Sequence, residues 1–79
     1  MVVNVLMPQQ GLTEESAFLS RWHVKKGDIV KAGQLLFSME TGKATFDVES
    51  EVSGLVTEII VQEDDEVPVL TVVCLIDSQ

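Results

Sequence analysis

The sequence holds one cysteine and one histidine, and that scarcity removes most of the chemistry a small protein can perform. With Cys74 alone there is no internal disulfide, no paired-cysteine redox motif and no cysteine-built zinc cluster. A reducing compartment suits such a chain. No apolar run approaches the roughly 20 residues that cross a bilayer, and Met1-Val2-Val3-Asn4 lacks the basic segment that opens a signal peptide. The expected setting is therefore away from membranes, in the cytoplasm or, in a eukaryote, the mitochondrial matrix. Basic residues are also few. Five of them against thirteen acids leave a net charge of -8, which repels a phosphate backbone and argues against nucleic-acid binding. The deficit is uneven: up to Gly42 four acids face four bases, whereas after Lys43 there are nine acids and no base. Lys43 is the last cation in the sequence.

No segment sustains a 3.6-residue apolar period, so helix content is expected to be close to nil. What is present is a series of short runs with a two-residue period or rich in β-branched residues. Val2 to Met7 reads as a strand stopped by Pro8, and Gln9-Gln10-Gly11 as a turn. Ala17 to Val24 places Phe18, Ser20, Trp22 and Val24 on one face and Leu19, Arg21 and His23 on the other. Ile29-Val30 is a brief strand between the turns Lys25-Lys26-Gly27-Asp28 and Lys31-Ala32-Gly33-Gln34. Leu35 to Glu40 and Thr45 to Glu49 flank a turn at Thr41 to Ala44. Leu55 to Val61 follows Gly54, the acidic turn Glu63-Asp64-Asp65-Glu66 comes next, and Val67-Pro68 and Thr71 to Ile76 close the chain. The 79 residues are thus expected to form one all-β domain, 1–79, of about eight short strands. Phe18, Trp22, Val24, Met39, Leu55, Ile59, Val61 and Ile76 are its expected core.

The two halves echo each other. The 37-residue shift that carries Val24 onto Val61 also carries Asp28 onto Asp65, Val30 onto Val67, Leu35 onto Val72 and Glu40 onto Asp77. Two β-units related by an approximate twofold are expected, neither able to bury its apolar face alone. Strand Thr45 to Glu49 matches the first strand only after a further shift. The turn at Lys43 then corresponds to the paired termini, and the two should lie at opposite ends of the molecule.

A hydrolase needs a nucleophile, a base and an orienting group held together. Neither His23, read as a surface strand residue, nor Cys74, read as a small buried one, supplies such a set. Glu63-Asp64-Asp65-Glu66 lacks the alternating ligands and the later glutamate of a calcium loop, and the glycine turns lack the helix that follows a phosphate loop. What remains is a lone lysine after a glycine at the tip of a hairpin. An exposed lysine on a turn is ordinarily a solubilising charge; a covalent attachment point is the alternative.

The order and spacing of several fragments favour the second reading. Met7-Pro8 with Gly11, Trp22-His23-Val24-Lys25-Lys26-Gly27-Asp28, Val30 with Gly33, Glu40-Thr41-Gly42-Lys43-Ala44, and Ser50 with Gly54 together resemble the lipoyl domain family, over nearly the whole chain. The resemblance implies a flattened barrel of two four-stranded antiparallel sheets, with lipoic acid joined by an amide to Lys43. Glu40, Thr41, Gly42 and Ala44 would be the residues by which the hairpin is recognised. It implies a non-catalytic, monomeric carrier that passes acyl groups between components of a 2-oxoacid dehydrogenase complex. Its partners would be a lipoate ligase or lipoyl transferase, a thiamine-diphosphate decarboxylase, an acyltransferase and dihydrolipoamide dehydrogenase. Two positions depart from the family pattern: Gly42 replaces the usual aspartate, and Leu70 replaces a glycine and should alter the local turn, since leucine does not take positive φ cheaply. The related biotin carriers normally set their lysine between two methionines, so a biotin carrier is the less favoured alternative. An unmodified β-barrel docking module is the other.

Overall fold

The computed structural model describes residues 1–9 and 15–78; the expected turn at Gln9-Gln10-Gly11 falls largely outside them. Eight strands follow one another: β1 Val2–Leu6, β2 Ser16–Trp22, β3 Ile29–Val30, β4 Leu35–Glu40, β5 Thr45–Glu49, β6 Gly54–Ile59, β7 Glu66–Pro68 and β8 Val72–Ser78. They form two antiparallel four-stranded sheets, ordered β1-β8-β6-β3 and β5-β4-β2-β7. Exchanging β1 with β5, β2 with β6, β3 with β7 and β4 with β8 turns one order into the other, so the twofold read from the sequence is present in the topology. The sheets face each other as a flattened sandwich rather than a closed barrel. Among the described residues no helix occurs.

The symmetry extends to irregularities that no apolar pattern announces. The register of β2 on β4 slips between Leu19 and Arg21, and that of β6 on β8 slips between Val56 and Glu58, at positions related by the same 37-residue shift. Each half is also tied to the other through its turns. Gly27 N–H donates to Val56 O at 2.8 Å and Val56 N–H to Asp28 O at 2.9 Å, while Asp64 N–H donates to Leu19 O at 2.7 Å and Leu19 N–H to Asp65 O at 2.9 Å. The turn of one unit therefore caps the strand of the other. Buried polar backbone must find a partner, and here each unit finds it across the interface.

These slips correct the expected facing of β2. The bulge inserts a residue and shifts the alternation by one, so Ala17 and Leu19 point inward before it and Trp22 and Val24 after it. Leu19 is fully buried, Phe18, expected in the core, is 44% exposed, and Leu55, its twofold equivalent and also expected there, is half-buried outside the core. Leu36, Phe37 and Met39 in β4, with Val73, Cys74 and Ile76 in β8, form the centre together with Met7, Val30 and Val56. Trp22 and Ile59 are only partly buried and pack on its edge. The Trp22 ring lies 5.2 Å from that of Phe37, and its Nε1–H donates to Val61 O at 2.8 Å, which satisfies the one polar atom an indole brings into a core. Strand ends differ by a residue or two from expectation, and Glu66 belongs to β7 rather than to the acidic turn.

Leu70 also departs from what its side chain leads one to expect. It holds φ of 70°, matching Gly33 at 90°, and Asp64 at 70° likewise matches Gly27 at 96°. The turn is not altered. Leu70 N–H donates to Met7 O at 2.7 Å and Gly33 N–H to Ser50 O at 2.7 Å, so the frame imposes the left-handed conformation at both sites whichever residue occupies them.

Candidate functional site

The hairpin between β4 and β5 is built from the strands upward. Pairing runs from Leu35↔Glu49 to Glu40↔Thr45, and Thr41 N–H then donates to Ala44 O at 2.9 Å, leaving Gly42 and Lys43 as a two-residue loop. The reciprocal bond is replaced by a side chain. Thr41 Oγ1 accepts from Lys43 N–H at 3.2 Å and from Ala44 N–H at 3.3 Å. A threonine is suited to this because its hydroxyl can stand in for a backbone acceptor two residues on. Lys43 is therefore fixed at its backbone while its side chain is exposed. Its amine takes part in neither of the ion pairs found among the described residues, Met1–Asp77 and Lys26–Glu58.

The other expected recognition residues are placed around it. Glu40 ends β4, exposed and paired with Phe18 on one side and Thr45 on the other. Gly42 and Ala44 are exposed beside the lysine. Thr41 is half-buried, and its hydroxyl is occupied by the turn, which makes it a clamp for the loop rather than a displayed feature. Nothing in the loop requires a glycine at 42: a Cβ there meets no atom within 4 Å, and its φ lies outside the left-handed range. An aspartate would fit.

The far end of the molecule holds the termini. From Leu35 and Glu49, short connections lead back to Val30 and on to Gly54, which pair with each other, and Gly54 pairs with Ser78. Val2 pairs with Asp77 at the same end. Lys43 stands at the opposite end of β4 and β5, about 17 Å along a five-residue strand at the usual rise. The lysine loop thus stands at the end of the molecule opposite Met1 and Ser78.

Two other groups could carry chemistry. His23 Nε2 lies 3.0 Å from Ser38 Oγ, which donates to Asp47 Oδ1 at 2.8 Å. Sequence spacing gave no hint of this exposed chain, because strand register alone brings the three together. Its order is wrong for nucleophile activation: the hydroxyl proton goes to the carboxylate, so the imidazole must donate to Oγ instead of accepting from it. Cys74 is fully buried, and burial pushes its thiol up to about 11, far from a reactive thiolate. Among the described residues no cluster of metal-binding side chains occurs.

Comparisons with known proteins bear on the family and the fold. The biotin/lipoyl family model, described as "Biotin-requiring enzyme", matches residues 3–76. The chain is 35% identical over 80 residues to the dihydrolipoyllysine-residue acetyltransferase component of the pyruvate dehydrogenase complex of Rickettsia typhi, covering 100% of this chain and 20% of that protein. It is 41% identical over 66 residues to the protein of the same description from Rhizobium meliloti, covering 84% and 15%. It is 34% identical over 76 residues to the acetyltransferase component of the acetoin cleaving system of Bacillus subtilis, covering 96% and 19%. The chain thus spans a fifth or less of the curated relatives it matches. The solution structure of the lipoyl domain of the 2-oxoglutarate dehydrogenase complex from Azotobacter vinelandii superposes with a TM-score of 0.72 at 24% identity, covering 100% of this chain and 99% of that one.

Proposed function

The chain belongs to the biotin/lipoyl attachment family, and from that premise we propose that residues 1–79 are a lipoyl carrier domain whose swinging arm is mounted on Lys43. The observation that carries the reading is the pinned loop: an exposed amine on a backbone held by Thr41 Oγ1, at the end away from the termini. A ligase must read a fixed backbone, and the arm beyond it must move freely. Both needs are met by one turn. Attachment would join the Nζ of Lys43 to the activated carboxyl carbon of lipoate, with loss of the activating group and of one proton from the amine. Glu40, Gly42 and Ala44 would be presented to the ligase or transferase beside it. The bound dithiolane supplies the acyl-carrying and redox chemistry, and the protein supplies orientation and recognition.

The names of the relatives favour lipoate over biotin, as do Gly42 and Ala44 beside the lysine. Its partners would be a thiamine-diphosphate decarboxylase, an acyltransferase and dihydrolipoamide dehydrogenase. A carrier joined to these enzymes converts each encounter into an intramolecular one at high effective concentration, and a lysine facing away from the termini leaves the arm unobstructed by the tether.

The test is the intact mass after incubation with lipoate, ATP and a lipoate ligase. The wild type should gain one lipoyl group and become more negative by one charge, and Lys43→Arg should gain none while unfolding at the same temperature. A biotin adduct formed with a biotin ligase, or an unmodified wild type, would overturn the proposal.

A further inference from the structure

Two outer-face rows of the sandwich are related by the twofold. At the terminal end, Leu55 of β6 sits between Ile29 of β3 and Asp77 of β8. At the lysine end, Phe18 of β2 sits between Glu66 of β7 and Glu40 of β4. The backbone frame is the same at both, yet one row has a single carboxylate and a half-buried leucine, whereas the other sets an aromatic ring, 44% exposed, between two carboxylates. The frame does not demand that difference. Glu66 is steadied by Ser16 Oγ, which donates to its Oε2 at 2.9 Å, and the Glu40 carboxylate takes part in neither of the ion pairs found among the described residues. These side chains, with Thr41 and Gly42, border a shallow depression of about 290 Å³ that reaches the root of the lysine arm.

We propose that the strip Glu66–Phe18–Glu40 is a docking point for an arginine on the enzyme that acylates the arm. The proposal rests on the carrier reading above. A guanidinium is the group that fits: it stacks its plane on an aromatic face and directs several N–H donors at flanking carboxylates, and it sheds water more readily than an ammonium. No cation of the described residues competes for the site. An enzyme held there has the arm's root beside it, because Glu40 leads through Thr41 and Gly42 to Lys43.

The experiment uses fully lipoylated protein, verified by mass, as substrate for reductive acylation by the thiamine-diphosphate decarboxylase that acylates the wild type. Phe18→Ala should raise the KM for the carrier about tenfold and leave kcat within about twofold. Glu66→Lys should raise KM further. The double substitution Glu40→Gln with Glu66→Gln should flatten the rise of KM with salt. Leu55→Ala, the twofold equivalent, should leave KM unchanged. Phe18 and Glu66 are surface residues, so their single variants should take lipoate and stay folded. The double variant, altered also at a residue presented to the ligase, is loaded to completion with excess ligase so that slower attachment does not enter its KM. A KM for Phe18→Ala within about twofold of wild type, or a salt response unchanged in the double variant, refutes the strip while leaving the carrier reading intact. A wild type that accepts no lipoate fails the carrier reading first, and the strip with it.

Discussion

Replacing Gly54 with alanine should damage the fold more than its one added carbon implies. A Cβ at this position overlaps the carbonyl oxygen of Asp77 and comes within 2.8 Å of the Asp77 carbonyl carbon and the Ser78 Cα. All three are backbone atoms of β8, so no rotamer change relieves the contact. The Gly54↔Ser78 end of the ladder must open, and Val30↔Gly54 on the other side is disturbed with it. Overpacking of this kind costs about 1–3 kcal/mol, and each ladder hydrogen bond lost adds roughly 1 kcal/mol. The sum is about 2–4 kcal/mol, out of a total of roughly 4–12 kcal/mol for a chain of this size. At roughly 4–8 °C per kcal/mol the melting temperature should fall by about 8–32 °C. Ala17, the twofold equivalent of Gly54, tolerates its methyl because the β2–β4 pairing ends at Phe18↔Glu40 and the chain turns away at Thr41. Thermal and urea unfolding followed by circular dichroism read the effect, with Gly42→Ala as the companion: a Cβ there touches nothing, and the change should be neutral or stabilising by about 0.4–1 kcal/mol. A Gly54→Ala protein that melts with Gly42→Ala would show that the close approach of β6 and β8 is not what selects the glycine.

Thr41→Val keeps the shape of the side chain and removes the acceptor for two N–H groups. Global stability should drop by only about 1 kcal/mol, whereas amide exchange at Lys43 and Ala44 should accelerate about tenfold and the rate of lipoylation should fall; unchanged exchange would count against the clamp. Cys74 should resist alkylation at pH 8 until the protein unfolds. Its thiol is raised from 9.0 to about 11 by burial, so the fold favours the protonated form: the contribution to stability is fully present below about pH 9 and is lost as pH rises toward 11, at about 1.4 kcal/mol per unit. Denaturant titrations across that window should show this slope in excess of that of Cys74→Ala, and equal slopes would contradict it.

How much of this was legible in the sequence depended on the kind of signal. Strand number, the twofold and the lysine hairpin could be read because turn residues and apolar runs are local, and a shift of 37 residues aligns like with like. The facing of Phe18 and Leu19 could not. A bulge is one residue of slack in a period of two, and the run Phe18, Ser20, Trp22, Val24 satisfies unbroken alternation as well as Leu19, Trp22, Val24 satisfies the interrupted kind. The repeat contained the missing evidence: Leu19 aligns with Val56, and both are fully buried, while Ser20 and Arg21 align with Thr57 and Glu58, two polar residues in succession. Two adjacent polar residues inside a strand, at the same place in both halves, mark the point where alternation fails. Glycine in a turn ordinarily marks a backbone need, and at position 42 this loop has none.

The twofold also separates what the frame requires from what the function adds. Left-handed backbone recurs at Gly27 and Asp64 and at Gly33 and Leu70, although for leucine that conformation is unfavourable by roughly 1–2 kcal/mol. A position held against its residue's preference is dictated by the surrounding hydrogen bonds, and at Leu70 the bond to Met7 is the counterpart of the one from Gly33 to Ser50. Where the halves share geometry in spite of their residues, the cause is the fold. Where they share the frame but differ in chemistry, as at Phe18 against Leu55, Glu66 against Ile29 and the Lys43 loop against the termini, folding supplies no reason for the difference. All three contrasts fall on the same division, with carboxylates, an exposed ring and a free amine gathered at one end of the molecule. On the carrier reading proposed above, that end is where a partner would read it.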